Sequence, residues 1–230
     1  MSVSASPIPY TGSKSCIVKT ILDVMPPHET YIEPCMGSAE VFFRKPPADR
    51  EIINDYNGDL VNLFRVLQDI QNLDKVIGRL YLSLNAELLF RQNKELLTNT
   101  PNILDDLKET AEDMRAASWD EIKSAVAFFE NQVYSFSSTG QAFGIMRRDL
   151  THRFSRLLAA CNRLRNATIL HRDYKDAISY TICLIILAGV VIQYRTPSQY
   201  RGLLTSAMAG SCTSRSAHLR YSSTPVRSTI

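Results

Sequence analysis

Thr30-Tyr31-Ile32-Glu33-Pro34-Cys35-Met36-Gly37-Ser38-Ala39-Glu40-Val41-Phe42-Phe43 is the stretch that decides the fold. Thr30 to Glu33 reads as a strand running through Pro34 into a turn at Cys35-Met36-Gly37-Ser38, after which Ala39 to Phe43 opens a helix or a tight continuation. A second strand candidate, Glu51-Ile52-Ile53-Asn54-Asp55, ends in a polar tip. Leu60, Leu63, Phe64 and Leu67 then mark the apolar stripe of the helix that follows. Two successive strand-loop-helix units favour a parallel sheet.

Upstream, Pro9-Tyr10-Thr11-Gly12-Ser13-Lys14 is loop-like. Ile17 to Met25 carries apolar residues at helical spacing until Pro26-Pro27 stops it. Downstream, Asn72 to Thr151 is rich in Leu, Glu, Asp, Lys and Ala and reads as a mainly helical lobe inserted into the sheet domain. Leu150 to Arg165 is a strongly periodic helix (Phe154, Leu157, Leu158, Cys161, Leu164), Ala167 to His171 returns to strand character, and Tyr174 to Tyr180 is a short helix. The expected organisation is therefore 1–70 and 151–180 in the sheet domain, 71–150 in the helical lobe, and 181–230 as an aberrant tail.

The chain has 26 Lys and Arg against 23 Asp and Glu, a net charge of +3, which neither demands nor excludes nucleic acid. Its distribution is uneven: every acid lies at or before Asp176, whereas 177–230 has no acid, no lysine and five arginines. The cysteines, Cys16, Cys35, Cys161, Cys183 and Cys212, are odd in number and form no Cys-x-x-Cys pair, which argues for a reducing compartment and against a zinc site. The N-terminus lacks a secretory pattern, and the longest apolar run, Ile182 to Ile192, is about half of the roughly 20 residues a spanning helix needs. A cytoplasmic monomer with neither membrane anchor nor metal is the expectation.

The turn from Glu33 to Ala39 lies where a parallel sheet binds an adenosyl cofactor, with Gly37 letting backbone approach the ligand, and Asp55, roughly 20 residues on, is placed to accept from ribose hydroxyls. An ordinary strand end followed by an Asp-Tyr-Asn turn fits the same two features. With one glycine in the turn there is no G-x-G-x-x-G, which weakens a dinucleotide-dependent oxidoreductase more than a methyl-donor enzyme.

Three blocks, Pro9 to Lys14, Tyr31 to Phe43 and Ile53-Asn54-Asp55-Tyr56-Asn57-x-x-Leu60, together resemble the Dam-like adenine N6 DNA methyltransferases, in order and in spacing. A fourth, His171-x-Asp173-Tyr174, resembles the strand end that flanks the cofactor adenine in that family. The resemblance implies a Rossmann-like methyltransferase sheet and S-adenosylmethionine held by Tyr10, Lys14, Glu33, Pro34, Gly37, Asp55, Asp173 and Tyr174. Lys14 could equally be a solvated loop lysine and Tyr174 a core aromatic, and Phe42 and Phe43 are core residues rather than ligand contacts. The resemblance also makes the helical lobe the recognition region for double-stranded DNA, and it fits either a phage or a restriction-modification setting. Within the lobe Ser135 to Phe143 is similar to a recurrent family loop. Lys14, Ser137, Arg147, Arg148 and Arg153, with Arg156, are the candidate DNA contacts, unless the arginines simply solvate an exposed helix face.

The Asp-Pro-Pro-Tyr motif that positions the flipped adenine in the family is absent from the chain, so no catalytic residue is assigned. Where it is expected the sequence reads Thr181-Ile182-Cys183-Leu184-Ile185-Ile186-Leu187. A reading-frame change near Tyr180 accounts for both the lost motif and the lost acids, and it fails if no downstream frame of the coding region encodes Asp-Pro-Pro-Tyr. The alternative is a divergent C-terminus whose apolar run is a buried strand. Thr205 to Ile230, rich in Ser, Thr and Arg, is expected to be poorly ordered. The functional expectation is an adenine N6-methyltransferase, or an inactive remnant of one that binds cofactor and DNA.

Overall fold

The computed structural model describes residues 5–99, 117–145 and 149–187. Eight helices and one parallel sheet of three short strands make up the regular structure of those residues. Helix α1 (Val18–Val24) precedes β1 (Thr30–Glu33), α2 (Glu40–Arg44), β2 (Arg50–Asn54) and α3 (Gly58–Leu67). Then come α4 (Ile70–Tyr81), α5 (Glu87–Asn99), α6 (Trp119–Tyr134), α7 (Thr151–Leu164), β3 (Ala167–Leu170) and α8 (Tyr174–Leu187). The strand order is β1-β2-β3, with Glu33 opposite Ile53 and Asn54 opposite Leu170, so the carboxyl ends of all three strands lie side by side.

Local chemistry sets the helix starts. Asn57 accepts the Asp59 and Leu60 amides at the head of α3, Asp69 does the same for α4, and Ser118 and Glu121 form a reciprocal capping box on α6. Leu60, Leu63, Phe64 and Leu67 are completely buried, which is the stripe read from the sequence. Phe42 and Phe43 are core residues as expected, packed edge to face at 5.1 Å. On α7 the buried side is Leu157, Ala160, Cys161 and Leu164, while Leu158, assigned to the same stripe, is 46 % exposed. Only helical elements and one isolated bridge, Ser135 to Phe143, occur among the described residues of 71–150, and α4 to α7 share one apolar core with α2, α3 and the sheet.

The amino end of the sheet carries a buried charge cluster. Lys45 donates to Glu51 and to the Pro46 carbonyl, and Arg163 reaches both Glu51 carboxylate oxygens and the Phe42 carbonyl. The guanidinium also lies 4.1 Å from the Phe42 ring centre, and Lys45 Nζ lies 4.5 Å from that of Tyr31. Burial pushes the Glu51 carboxyl up, but the hydrogen bonds from Arg163 and Lys45 outweigh it and hold it below its usual value. Burial lowers the Lys45 ammonium.

The sequence reading is also corrected at the apolar run after Tyr180. The helix expected over 174–180 continues to Leu187, so the described portion of the apolar run is helix rather than the buried strand considered as its alternative. Ala177 bonds back to Asp173, and a helix already nucleated extends at one hydrogen bond per residue, which overrides the β preference of the isoleucines. The candidate contacts Arg147 and Arg148 and the tail 205–230 fall outside the described residues. No helix among the described residues is long and apolar enough to cross a membrane.

Candidate functional site

The carboxyl ends of the strands are joined by one side chain. Asn54, 1 % exposed, donates from Nδ2 to the carbonyls of Pro34 (2.8 Å) and Arg172 (3.0 Å), and its Oδ1 accepts the Arg172 amide at 3.0 Å. The end of β1, the end of β2 and the segment after β3 are thereby fixed to one another. The Met36 amide donates to the Asn54 carbonyl at 2.9 Å, which folds the turn after β1 back over β2.

Within that frame Gly37 and Asp55 meet directly. The Gly37 amide donates to Asp55 Oδ2 at 2.8 Å, and Asp55 Oδ1 accepts the Asn57 amide at 3.0 Å. Gly37 has φ +51°, where L side chains are disfavoured. A Cβ there would stand 3.7 Å from the Tyr10 ring, an ordinary contact, so backbone conformation rather than crowding calls for glycine. The Tyr10 hydroxyl accepts from Asn57 Nδ2 at 3.1 Å, and burial raises its pKa.

Glu33 and Lys14 form the adjoining part. Lys14 Nζ donates to the Cys35 carbonyl at 3.0 Å and lies 3.5 Å from Glu33 Oε1, so it is anchored rather than a solvated loop lysine. Glu33 Oε2 accepts from the Tyr31 hydroxyl (2.9 Å) and the Phe42 amide (3.2 Å), while Oε1 is buried without a hydrogen bond. Burial pushes the Glu33 carboxyl up, partly offset by Tyr31, Lys14 and the Phe42 amide. The Tyr31 phenol is raised by burial and by the Glu33 charge.

Asp173 and Tyr174 stand at the end of β3. Asp173 Oδ1 accepts the Lys175 amide at 2.9 Å at the head of α8. Tyr174 is 47 % exposed, so it is not a core aromatic. Among the described residues neither shares a hydrogen bond with Gly37 or Asp55, and their link to that pair runs through the backbone of Arg172 and Asn54. Tyr56, 78 % exposed, follows Asp55, and its carbonyl receives His171 Nε2 at 3.1 Å. The sequence reading assigned no role to Asn54 or Tyr56. An asparagine at the end of an apolar strand was the available signal for the first, because a buried amide needs partners.

Of the candidate DNA contacts, Ser137 lies in a short 3-10 turn (Phe136–Ser138) with φ +54°, and Ser138 beside it has φ +55°. This turn touches the N-terminal loop, with Thr11 Oγ1 donating to the Ser138 carbonyl at 3.0 Å. Arg153 reaches the Pro7 carbonyl at 3.4 Å. Lys14, the remaining candidate, is the residue bound to Cys35 and Glu33.

Chemically, the strand-end cradle offers acceptors. Asp55 accepts one amide per oxygen and keeps lone pairs on both, Glu33 Oε1 accepts no hydrogen bond and is paired only with the Lys14 ammonium at 3.5 Å, and Gly37 itself carries no side chain. No group of three or more metal-binding side chains is clustered among the described residues.

Fold and site define a mixed α/β protein with an acid-lined glycine turn at the carboxyl ends of parallel strands. The chain belongs to the D12 class N6 adenine-specific DNA methyltransferase family, whose model it matches over residues 10–181. It is also similar to the Type II methyltransferase M1.LlaDCHI of Lactococcus lactis subsp. cremoris, at 25% identity over 171 residues covering 74% of this chain and 52% of that protein. The chain thus spans about half the length of this curated relative.

Proposed function

We propose that this chain binds S-adenosylmethionine at the strand-end cradle and double-stranded DNA beside it, in the service of adenine N6 methylation. On this reading the sheet is a Rossmann-like methyltransferase sheet and 71–150 is its inserted DNA-recognition lobe. The observation that carries the proposal is the Gly37 amide bonded to the Asp55 carboxylate at 2.8 Å, at the carboxyl ends of adjacent parallel strands, in a chain of this family.

The residues fit the cofactor. An S-adenosylmethionine molecule presents hydroxyls, an ammonium and a sulfonium, and the cradle presents a carboxylate with free lone pairs and a buried carboxyl oxygen with no hydrogen bond. Asp55 would hold the ribose, Glu33 and Lys14 the methionine end, Gly37 and Pro34 the close backbone approach, and Tyr10, Asp173 and Tyr174 the flanks. When bound, the cofactor supplies an electrophilic methyl group. The chain's own contribution is orientation: Asn54 fixes the three strand ends, so the acceptors keep their spacing before and after ligand arrives.

The missing Asp-Pro-Pro-Tyr motif favours a second reading, in which the chain binds cofactor and DNA without turnover. Calorimetric titration with S-adenosylmethionine and transfer of labelled methyl to duplex DNA separate the two. Saturable cofactor binding that weakens at least tenfold in Asp55→Ala supports the cradle, and lack of binding by the native chain refutes it. Labelled methyl on adenine selects the active reading, and binding without transfer selects the other.

A further inference from the structure

Tyr31 touches both the strand-end cradle and the buried charge cluster around Glu51: its hydroxyl meets Glu33 and its ring carries Lys45. Tyr31 and Glu33 alternate with Ile32 along β1, so their side chains share one face of the strand. We propose that Tyr31 is a positioning residue for the cofactor, holding Glu33 by one carboxylate oxygen so that the other is kept for a cationic ligand group. This rests on the cofactor reading above and deepens it by naming the Glu33 oxygen that the methionine ammonium meets and the residue that keeps it available.

The two oxygens of Glu33 are unequal. Oε2 takes two donors, the Tyr31 hydroxyl at 2.9 Å and the Phe42 amide at 3.2 Å. Oε1 is buried and accepts no hydrogen bond, and its one partner among the described residues is the Lys14 ammonium at 3.5 Å. Lys14 gives its hydrogen bond elsewhere, to the Cys35 carbonyl at 3.0 Å. A buried carboxylate oxygen short of a donor costs free energy until one arrives, and an ammonium is donor and countercharge together. Lys14 has 35 % of its side chain exposed, so it can turn to the ligand's carboxylate as the ligand's ammonium takes its place at Oε1.

Tyr31 suits this task because it remains a donor. Burial and the neighbouring Glu33 charge raise its phenol well above the ordinary value, so the hydroxyl keeps its proton where binding is measured. Lys45 Nζ lies 4.5 Å from the ring centre and is itself fixed by Glu51 and the Pro46 carbonyl, which favours one placement of the ring. The charges that face Glu33 are Lys14 from the N-terminal turn and Lys45 beyond the Tyr31 ring, while Glu51 is engaged by Lys45 and Arg163.

Calorimetric titration of the full chain with S-adenosylmethionine and with 5′-methylthioadenosine, which keeps the adenosine but lacks the amino acid and the sulfonium, tests this. Tyr31→Phe removes the hydroxyl and keeps the ring, and cooperative urea unfolding shows that the variant folds. It is expected to bind S-adenosylmethionine about tenfold more weakly and methylthioadenosine as the native chain does. The Tyr31 hydrogen bond favours the ionised Glu33 carboxyl against burial, so its loss raises that group further. Cofactor affinity, present above the folded value and lost as pH falls through it, should therefore show its acid limb about one pH unit higher in Tyr31→Phe. Equal losses for the two ligands, or an acid limb that stays in place, would make Tyr31 a packing residue and overturn the proposal while the cofactor reading stands. If the native chain binds neither ligand, the cofactor reading falls and the proposal with it.

Discussion

Replacing Asn54 by alanine removes the side chain that ties the three strand ends together. Three hydrogen bonds are lost, to the Pro34 carbonyl, the Arg172 carbonyl and the Arg172 amide. At a net of about 1 kcal/mol each the loss is about 3 kcal/mol. Penalties for orphaned groups would raise the figure, but Pro34 is half-buried and Arg172 exposed, so water can reach what the amide leaves behind. For a domain of this size about 3 kcal/mol corresponds to a melting midpoint lower by about 6–12 °C. Asn54→Asp makes a sharper comparison. It keeps the acceptor for the Arg172 amide but turns an oxygen toward two carbonyls, so its folded-state pKa is raised. A raised value means the penalty is absent below the unfolded pKa of about 3.9 and grows as pH rises through the folded value. Urea unfolding followed by circular dichroism at pH 4 and pH 7 reads both effects. A loss under about 1 kcal/mol in Asn54→Ala, or an Asn54→Asp deficit that is no larger at pH 7 than at pH 4, would refute the clamp.

Other outcomes follow from the same geometry. Asp55→Asn keeps an acceptor for one amide but loses the charge, and should raise the calorimetric Kd for S-adenosylmethionine at least tenfold. Burial raises the Glu33 pKa, so the stability linked to its protonated form is present below the unfolded value and is lost as pH rises through the folded one; Glu33→Gln should flatten that slope in urea midpoints taken across the acid range. Ala39 is fully buried at φ +54°, and Ala39→Val, β-branched at a left-handed position, should cost roughly 2–4 kcal/mol by chemical denaturation. Arg163→Ala leaves Glu51 with Lys45 alone in a buried setting, and a loss of roughly 3–5 kcal/mol is expected in the same assay.

The strand-turn-helix at 30–43, the second strand and the stripe of α3 were legible because short-range signals agreed: apolar period, a proline stop and a glycine turn. The tether between Gly37 and Asp55 was not, because a hydrogen bond across 18 positions leaves no trace in local pattern. Nothing in the local sequence singles out Lys45, Glu51 and Arg163 as a cluster, and only the sheet register that sets Glu51 opposite Ala167 brings the carboxylate to the end of α7. The extension of α8 was missed for the opposite reason, since local β preference pointed one way and helix continuation prevailed. The family match closes at residue 181, just past the last acid, Asp176, so the break in composition and the limit of the family pattern fall together.

The bond from the Gly37 amide to Asp55 also bears on how a sugar would be received. Each oxygen of that carboxylate already serves one backbone donor, so an incoming diol joins as a second guest at each acceptor instead of evicting the first. Recognition of this kind spends little free energy on rearranging the host, and the aspartate is held in place and aimed by the main chain itself.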